Sequence, residues 1–189
     1  HNQAIGIRGI LDSHGIHVDH HNENTFIQYN YMEDCEGGFV EILGDNETAV
    51  YRFNISVNDG WRENPNWVNS NHTIWLSNTI GGEAGHESNN SFIYNNTVVV
   101  NRSSNPYRTA IDIRANNTRI FNNIFYSING SKIGGKQVRV EDDNLLVTNN
   151  LFHGNVDTRF KDLDENGIYG DPSFYNEDLS GAKGFQLLA

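Results

Sequence analysis

The chain has 189 residues and a net charge of −11, with only 13 lysines and arginines. The length fits one domain, and no basic stripe is present that would bind nucleic acid. No apolar stretch approaches the length of a membrane span. A single cysteine, Cys35, excludes an internal disulfide. We therefore expect one domain with no nucleic-acid partner and no membrane span, in which Cys35 is a small buried apolar residue.

Five segments repeat one pattern, in which strand-forming residues lead to an asparagine. The segments are FIQYNYMED, VYRFNISVND, FIYNNTVVV, RIFNNIFYS and LVTNNLFHG, and the asparagines are Asn30, Asn54, Asn96, Asn123 and Asn150. They follow one another at spacings of 24, 42, 27 and 27 residues. The apolar alternation indicates strands rather than helices. One strand-and-turn unit repeated at this period predicts a solenoid, with the asparagines stacked as an internal ladder of amides.

A second strand precedes most of these segments. The candidates are GIHVD (15–19), GFVEI (38–42), TIWLS (73–77), AIDIR (110–114) and QVRVE (137–141). Two strands in each turn of the chain, stacked in parallel, predict an all-β fold, a right-handed parallel β-helix over residues 1–189. The long 42-residue spacing predicts a loop insertion at 59–72, at 81–88, or at both. Long loops that interrupt a solenoid are where function usually lies.

These patterns resemble the right-handed parallel β-helix superfamily of secreted carbohydrate-active proteins, which includes pectate-lyase-like proteins and β-helix glycosidases. The resemblance covers residues 10–155 and is more specific for the fold than for the activity. Members are typically longer, and a solenoid needs capped ends. No capping helix is recognisable, so we expect a fragment or one part of a longer β-helix. The resemblance implies a secreted, periplasmic or cell-surface protein.

Two carboxylates are expected on the outer face of neighbouring strands, Asp19 in GIHVD and Glu41 in GFVEI. Adjacent strands lie about 4.8 Å apart, and a retaining glycosidase needs carboxylates about 5–5.5 Å apart. Like charges at this distance raise one pKa. The sequence therefore predicts Asp19 as nucleophile and Glu41 as acid/base, and this motif pair resembles that of β-helix β-xylosidases. Counting from the asparagine ladder instead places Leu43 beside Asp19.

The outer face continues along later strands, where Asp112 and Arg139 lie at the same offset from the ladder as Asp19. Asp112 is thus a third candidate for catalysis. Exposed tryptophans are good platforms for sugar rings, so we expect a groove for a polysaccharide or oligosaccharide. The candidate substrate-binding residues are His14, His17, Trp61, Arg62, Trp75, Arg114 and Arg139.

Two other functions remain open. A polysaccharide lyase needs a base and a cation that neutralises a uronate carboxylate. Arg114, Arg139, Lys132 or Lys136 would serve as the base, with calcium held by the outward carboxylates. The third hypothesis is a non-catalytic, carbohydrate-binding or adhesive β-helix.

Metal-binding patterns are weak. Alternation along the strand sends His17 and His20 to opposite faces, so no zinc site is expected. The stretch KDLDENGIYGD begins like a calcium loop, with Asp162, Asp164 and Asn166 as oxygen ligands. Its twelfth position is Ser173 rather than glutamate, so an ordinary polar turn is the preferred interpretation. Calcium is therefore the only cofactor that the sequence suggests.

Overall fold

The structure is a computed structural model that describes residues 2–9, 13–62, 71–102, 108–175 and 181–187. Within these residues, helix is limited to α1 (Thr158–Lys161) and a short 3₁₀ helix (Ala182–Phe185). The strands, in chain order, are β1 (Gln3–Ile5), β2 (Glu23–Gln28), β3 (Tyr31–Glu33), β4 (Gly38–Ile42), β5 (Glu47–Arg52), β6 (Ile55–Val57), β7 (His72–Leu76), β8 (Thr79–Ile80), β9 (Glu83–Ala84), β10 (Ser88–Asn89), β11 (Phe92–Tyr94), β12 (Thr97–Asn101), β13 (Arg108–Asn116), β14 (Arg119–Phe121), β15 (Ile124–Ile128), β16 (Lys132–Glu141), β17 (Leu146–Thr148), β18 (Leu151–Gly154) and β19 (Ile168–Tyr169).

The strands build two large sheets. One has the order β1-β3-β6-β12-β15-β18-β19, and the other has the order β17-β14-β11-β5-β10-β13-β7-β4, with β2 beside β5 and β16 beside β13. The pairs in both sheets are parallel. Among the described residues, the hairpin β8–β9 and an isolated bridge between Phe174 and Leu187 are antiparallel. Hydrogen-bonded neighbours are not consecutive in the chain, because the chain crosses to other strands before it returns. The all-β prediction is confirmed.

The predicted asparagine ladder is present and longer than expected. The side-chain amide of each asparagine donates to Oδ1 of the next, at 3.0 Å for Asn30–Asn54, Asn54–Asn96 and Asn96–Asn123 and at 2.9 Å for Asn123–Asn150. Asn2 begins the ladder by donating to Asn30 at 3.0 Å. Each acceptor oxygen also takes the backbone N–H of the preceding asparagine, as in the 3.0 Å bond from Asn54 to Asn96. The ladder therefore satisfies both the amides and the backbone at this buried bend.

Asp164 ends the ladder, which overturns the idea that it is a calcium ligand. Its Oδ2 accepts the side-chain amide of Asn150 at 2.8 Å, and its Oδ1 accepts the backbone N–H of Asn149 at 3.0 Å. Asn166 donates its amide to Thr148 instead of facing a shared centre. Asp162 is the C-terminal cap of α1. The three predicted ligands thus serve separate structural roles.

The apolar core lies between the sheets and includes Val40, Ile74, Ile111 and Phe125, all fully buried. Cys35 is buried, as predicted. Phe39 is also buried and packs edge-on against the ring of Tyr51, with the ring centroids 5.9 Å apart. Its burial extends the core to the start of β4.

The predicted second strands agree closely with the structure, except for the first. GFVEI is β4, and the others fall within a residue of β7 or inside β13 and β16. In residues 15–19, only Val18 pairs, through an isolated bridge to Ile42. The predicted insertion at 81–88 contains part of the hairpin β8–β9, whereas 63–70 of the other insertion lie outside the described residues. None of the helices described is long and apolar enough to cross a membrane.

Candidate functional site

Four polar or aromatic residues form one column across the sheet. Glu41 of β4 is in register with Trp75 of β7, Trp75 with Asp112 of β13, and Asp112 with Arg139 of β16. They alternate along their strands with core residues such as Val40 and Ile74. Successive residues of a strand point to opposite faces, so the column lies on the face away from the core.

The column begins with His17, which corrects the predicted pairing of Asp19 with Glu41. Because Val18 bridges Ile42, His17 is level with Glu41 and Asp19 is level with Leu43. The count from the ladder was thus right for this pair. The Asp19 side chain is 67% exposed and accepts the backbone N–H of His20 at 2.8 Å. The adjacent carboxylates that a retaining mechanism needs are therefore not formed by Asp19 and Glu41.

Glu41 is fully buried and is held by two imidazoles. Nδ1 of His14 lies 2.7 Å from Glu41 Oε2, and Nδ1 of His17 lies 3.0 Å from the same oxygen. Burial by itself raises the pKa of Glu41, but the positive charge of His14, followed by the hydrogen bond and charge of His17, outweighs it and lowers the pKa to about 2. Glu41 is accordingly held as a carboxylate at neutral pH.

The position of His14 depends on the chain before the strand-like segment. Ser13 has a φ of +58°, which bends the backbone, and the Ser13 carbonyl accepts the N–H of Gly37 at 2.9 Å. His14 then lies over Gly38, where an added Cβ would be 3.1 Å from Nε2 of His14 and 2.2 Å from the carbonyl oxygen of His72. Gly38 is therefore required both for the approach of His14 and for the pairing of β4 with β7.

His72 and Trp75 cover the other side of the histidine cluster. The rings of His72 and Trp75 are stacked with centroids 5.2 Å apart, and the ring of His14 lies 6.3 Å from Trp75. Burial, followed by the charge of His14, lowers the pKa of His72 to about 3. His72 is therefore a neutral, buried imidazole, and it was not singled out from the sequence.

Asp112 is 6% exposed and pairs with a cation on its own strand. Nε of Arg114 donates to Oδ1 of Asp112 at 3.2 Å, and Arg114 also donates to Asn78 at 3.0 Å. Burial raises the pKa of Asp112, although Arg114 and then Arg139 act in the opposite direction. Arg139 itself pairs with Glu141 at 2.8 Å. Asp112 is thus the carboxyl group of the column that burial favours in its protonated form.

Trp61 and Arg62 belong to a different part of the surface. The ring of Trp61 lies between the guanidinium groups of Arg8 and Arg102, 4.5 and 4.7 Å from its centroid. Arg62 is buried and donates to the carbonyl oxygen of Gly9 at 2.9 Å. Among the contacts described, neither residue touches the column, so the structure does not place them with the other predicted sugar-binding residues.

A strip of aromatic rings, formed by Tyr29, Phe53, Tyr94 and Phe121, runs along another edge of the molecule. Tyr29 stacks on Phe53 at 5.1 Å, and Tyr94 stacks on Phe121 at 4.7 Å. Tyr29 is 52% exposed and Phe53 39%. Both residues have positive φ angles, +57° and +54°, where the equivalent position of the later repeats is an asparagine such as Asn95. Bulky residues rarely adopt this conformation, and such strain is often found at binding surfaces.

No protein-family model matches the sequence, and neither the curated proteins nor the solved structures include a match to this chain. The chemistry of the site therefore has to be argued from its own geometry. Sequence reasoning placed His14 and His17 only as substrate-binding candidates. The H-x-x-H spacing of His14 and His17 is the sequence signal for their convergence. Strand alternation separates His17 from His20, but it says nothing about His14, which precedes the bridge at Val18.

Proposed function

We propose that the chain is a right-handed parallel β-helix and a carbohydrate-active enzyme, a glycoside hydrolase that cleaves polysaccharide or its oligosaccharides outside the cell. Two features support the β-helix. Strands that are distant in the chain are parallel neighbours within each sheet, and the asparagine ladder repeats once in each turn of chain. The resemblance to secreted β-helix glycosidases points the same way.

The column supports hydrolysis because two carboxyl groups flank a tryptophan at one register. Glu41 and Asp112 are both in register with Trp75, so their Cα atoms lie two strand spacings, or about 9.6 Å, apart. Inverting glycosidases separate their carboxyl groups by about 6.5–9.5 Å, which leaves room for a water molecule. The Cα separation of about 9.6 Å is at the upper limit of that range and well above the roughly 5–5.5 Å between the carboxyl groups of retaining enzymes. It therefore favours an inverting mechanism over the retaining one expected from Asp19 and Glu41.

The two carboxyl groups on either side of Trp75 have opposite acid–base character. Asp112 is assigned as the general acid that protonates the leaving oxygen, because burial raises the pKa of Asp112 while His14 and His17 lower the pKa of Glu41. On the other side of Trp75, Glu41 orients His17, whose side chain is 36% exposed. His17, paired with Glu41, takes the proton of the attacking water. Trp75 lies between the two carboxyl groups, where a sugar ring can stack.

The test is turnover of xylo-oligosaccharides and arabinoxylan, measured as released reducing sugar. Asp112→Asn should lower kcat by about 10²–10⁴-fold, the usual contribution of a general acid, with little change in ligand affinity. Asp19→Asn is the matched control and should leave kcat unchanged, because Asp19 serves an exposed turn. Equal loss in both variants, or an active Asp112→Asn enzyme, would refute the assignment.

A calcium-dependent lyase is the runner-up, favoured by one observation. Burial lowers the pKa of Lys136, which donates to Asn71 near His72, and a lysine with a lowered pKa can act as a base. Polygalacturonate with added calcium would then give an unsaturated product with a new ultraviolet absorbance. Lys136→Gln should abolish that signal, whereas a hydrolase gives reducing sugar without it.

The aromatic strip favours a third function, which is binding without turnover. Arg52 supports the strip by donating to Tyr94 at 2.9 Å, and a cavity of about 190 Å³ lies against Tyr29 and Phe53. If the strip is the only saccharide site, Tyr29→Ala should abolish binding of xylo-oligosaccharides in calorimetry, while Asp112→Asn should have no effect. The hydrolase predicts that binding survives in Tyr29→Ala through the column.

A further inference from the structure

We propose that His14, His17 and Glu41 bind a divalent transition-metal ion, and that zinc fits this site. One nitrogen from each histidine and a carboxylate oxygen all lie within 4.8 Å of one another. Two imidazoles and one carboxylate are a ligand set of catalytic zinc, which leaves a fourth position open for water or substrate.

The spacing of the donor atoms agrees with a shared ion. Ligand atoms bound about 2.1 Å from a tetrahedral zinc lie about 3.4 Å from one another. Both Nδ1 atoms face Oε2 of Glu41 at 2.7 and 3.0 Å, so side-chain rotations that open these gaps by less than one ångström would admit the ion. Glu41 lies in β4, and the backbone beside the two histidines is bonded to the same region, through Ser13 to Gly37 and through Val18 to Glu41.

Unpartnered buried atoms point to the same place. Three buried atoms of this cluster have no hydrogen-bond partner among the described residues. They are Nδ1 and Nε2 of His14 and Oε1 of Glu41, and all three are inaccessible to water. Nδ1 of His14 is 2.7 Å from the Glu41 carboxylate but is not aligned with it as a hydrogen bond. Leaving such groups unsatisfied is costly, and a cation bound to Nδ1 and the carboxylate would remove much of that cost.

The surroundings suit a metal site. His72 and Trp75 pack beside His14 and exclude water from that side. The His17 side chain is 36% exposed, which gives an ion access from solvent. The site goes beyond the proposed function and does not rest on it. If both hold, an ion held by His14, His17 and Glu41 would supply an acidified water as the nucleophile, and Asp112 would keep its role as acid.

The experiment is a calorimetric titration of zinc chloride into the EDTA-treated full chain at neutral pH. We expect one site with a Kd of about 1 μM or below, and at least a 100-fold weaker Kd in His14→Ala, since even outer-shell changes cost 10–100-fold. Glu41→Gln keeps the shape of the side chain and should weaken binding similarly. His153→Gln is the matched control, because His153 lies away from the site and stacks on Tyr126.

Circular dichroism of each variant in EDTA separates loss of the site from loss of the fold. If wild-type protein shows no saturable zinc binding, or if folded His14→Ala and Glu41→Gln bind zinc as well as the wild type, the proposal is wrong and the cluster is a hydrogen-bonded carboxylate only. Weak zinc binding by the exposed histidines would persist in both variants and be recognised in that way. Zinc binding by a wild-type protein that does not turn over xylo-oligosaccharides would instead refute the hydrolase and leave the metal site standing.

Discussion

The balance of forces on Asp112 decides whether the column can act as an acid. The side chain is buried beside Arg114, with Arg139 one strand away. Burial raises the pKa of Asp112 and the two arginines lower it, and burial prevails. Arg114 thus holds the carboxyl group in position, but it lowers the protonated fraction of Asp112 that a general acid needs.

Replacing Arg114 should therefore move the pH dependence upward. Activity that needs protonated Asp112 falls as the pH rises through its pKa. In Arg114→Gln a cation that lowers this pKa is lost, so the alkaline limb of kcat/KM should shift to higher pH. The same shift should appear in the carboxyl carbon resonance of Asp112, which needs no substrate. Arg119→Gln, on β14, is the control. An unchanged or lower pKa in Arg114→Gln would contradict this account.

Sequence reasoning located the column but not its register. The constant offset from the ladder aligns Asp19 with Leu43 correctly, and Asp112 with Arg139 correctly. The same offset fails between the earlier and the later strands, because it would align Asp112 with Leu43. In the structure Asp112 is level with Glu41. The cause is the turn that follows, since four residues separate β4 from β5 but two separate β13 from β14. Turn lengths of this kind are visible only once the strand ends are known.

At the scale of the element, the asparagine ladder fixes how repeats stack. Besides its neighbours in the ladder, each amide from Asn54 to Asn150 donates to a backbone carbonyl, as Asn96 does with Tyr51 at 2.9 Å and Asn123 with Ile93 at 2.9 Å. The ladder could be predicted because an asparagine recurs at the same position of each repeat. Its end at Asp164 could not, since an aspartate in a polar turn has many other uses.

The ladder should contribute most in its middle. Asn96→Ala leaves the backbone N–H and the amide of buried Asn54 without their acceptor, and each unsatisfied group costs about 1–3 kcal/mol. We expect a loss of about 2–5 kcal/mol in the free energy of unfolding, measured by urea denaturation. Asn2→Ala should cost far less, because Asn2 is exposed and donates only at the end of the ladder. Equal losses of unfolding free energy in the two variants would contradict the larger contribution expected from the middle of the ladder.

At the scale of the whole molecule, each strand pairs only with the strands directly beside it in its sheet. Stability in such a stack is approximately a sum of neighbour terms. A substitution that destabilises one strand is therefore expected to destabilise the strands paired with it and to leave distant strands unchanged. Strand β18 offers a place to test this, because Gly154 pairs with Ser127 of β15 near one end of the first sheet.

Gly154→Ala should loosen one end of the molecule and spare the other. A Cβ at Gly154 would lie 1.9 Å from the carbonyl oxygen of Ser127, whereas one at Gly130 would meet nothing within 4 Å. Both glycines have positive φ, +71° and +81°, so Gly130→Ala reports the backbone strain alone, about 1–2 kcal/mol. Hydrogen exchange should show a loss of protection of about 100-fold in β15, β18 and β19 of Gly154→Ala, with β3 and β6 unchanged. Protection that falls equally in both halves would mean that the sheets unfold as a single unit, and the neighbour-sum description would then be wrong.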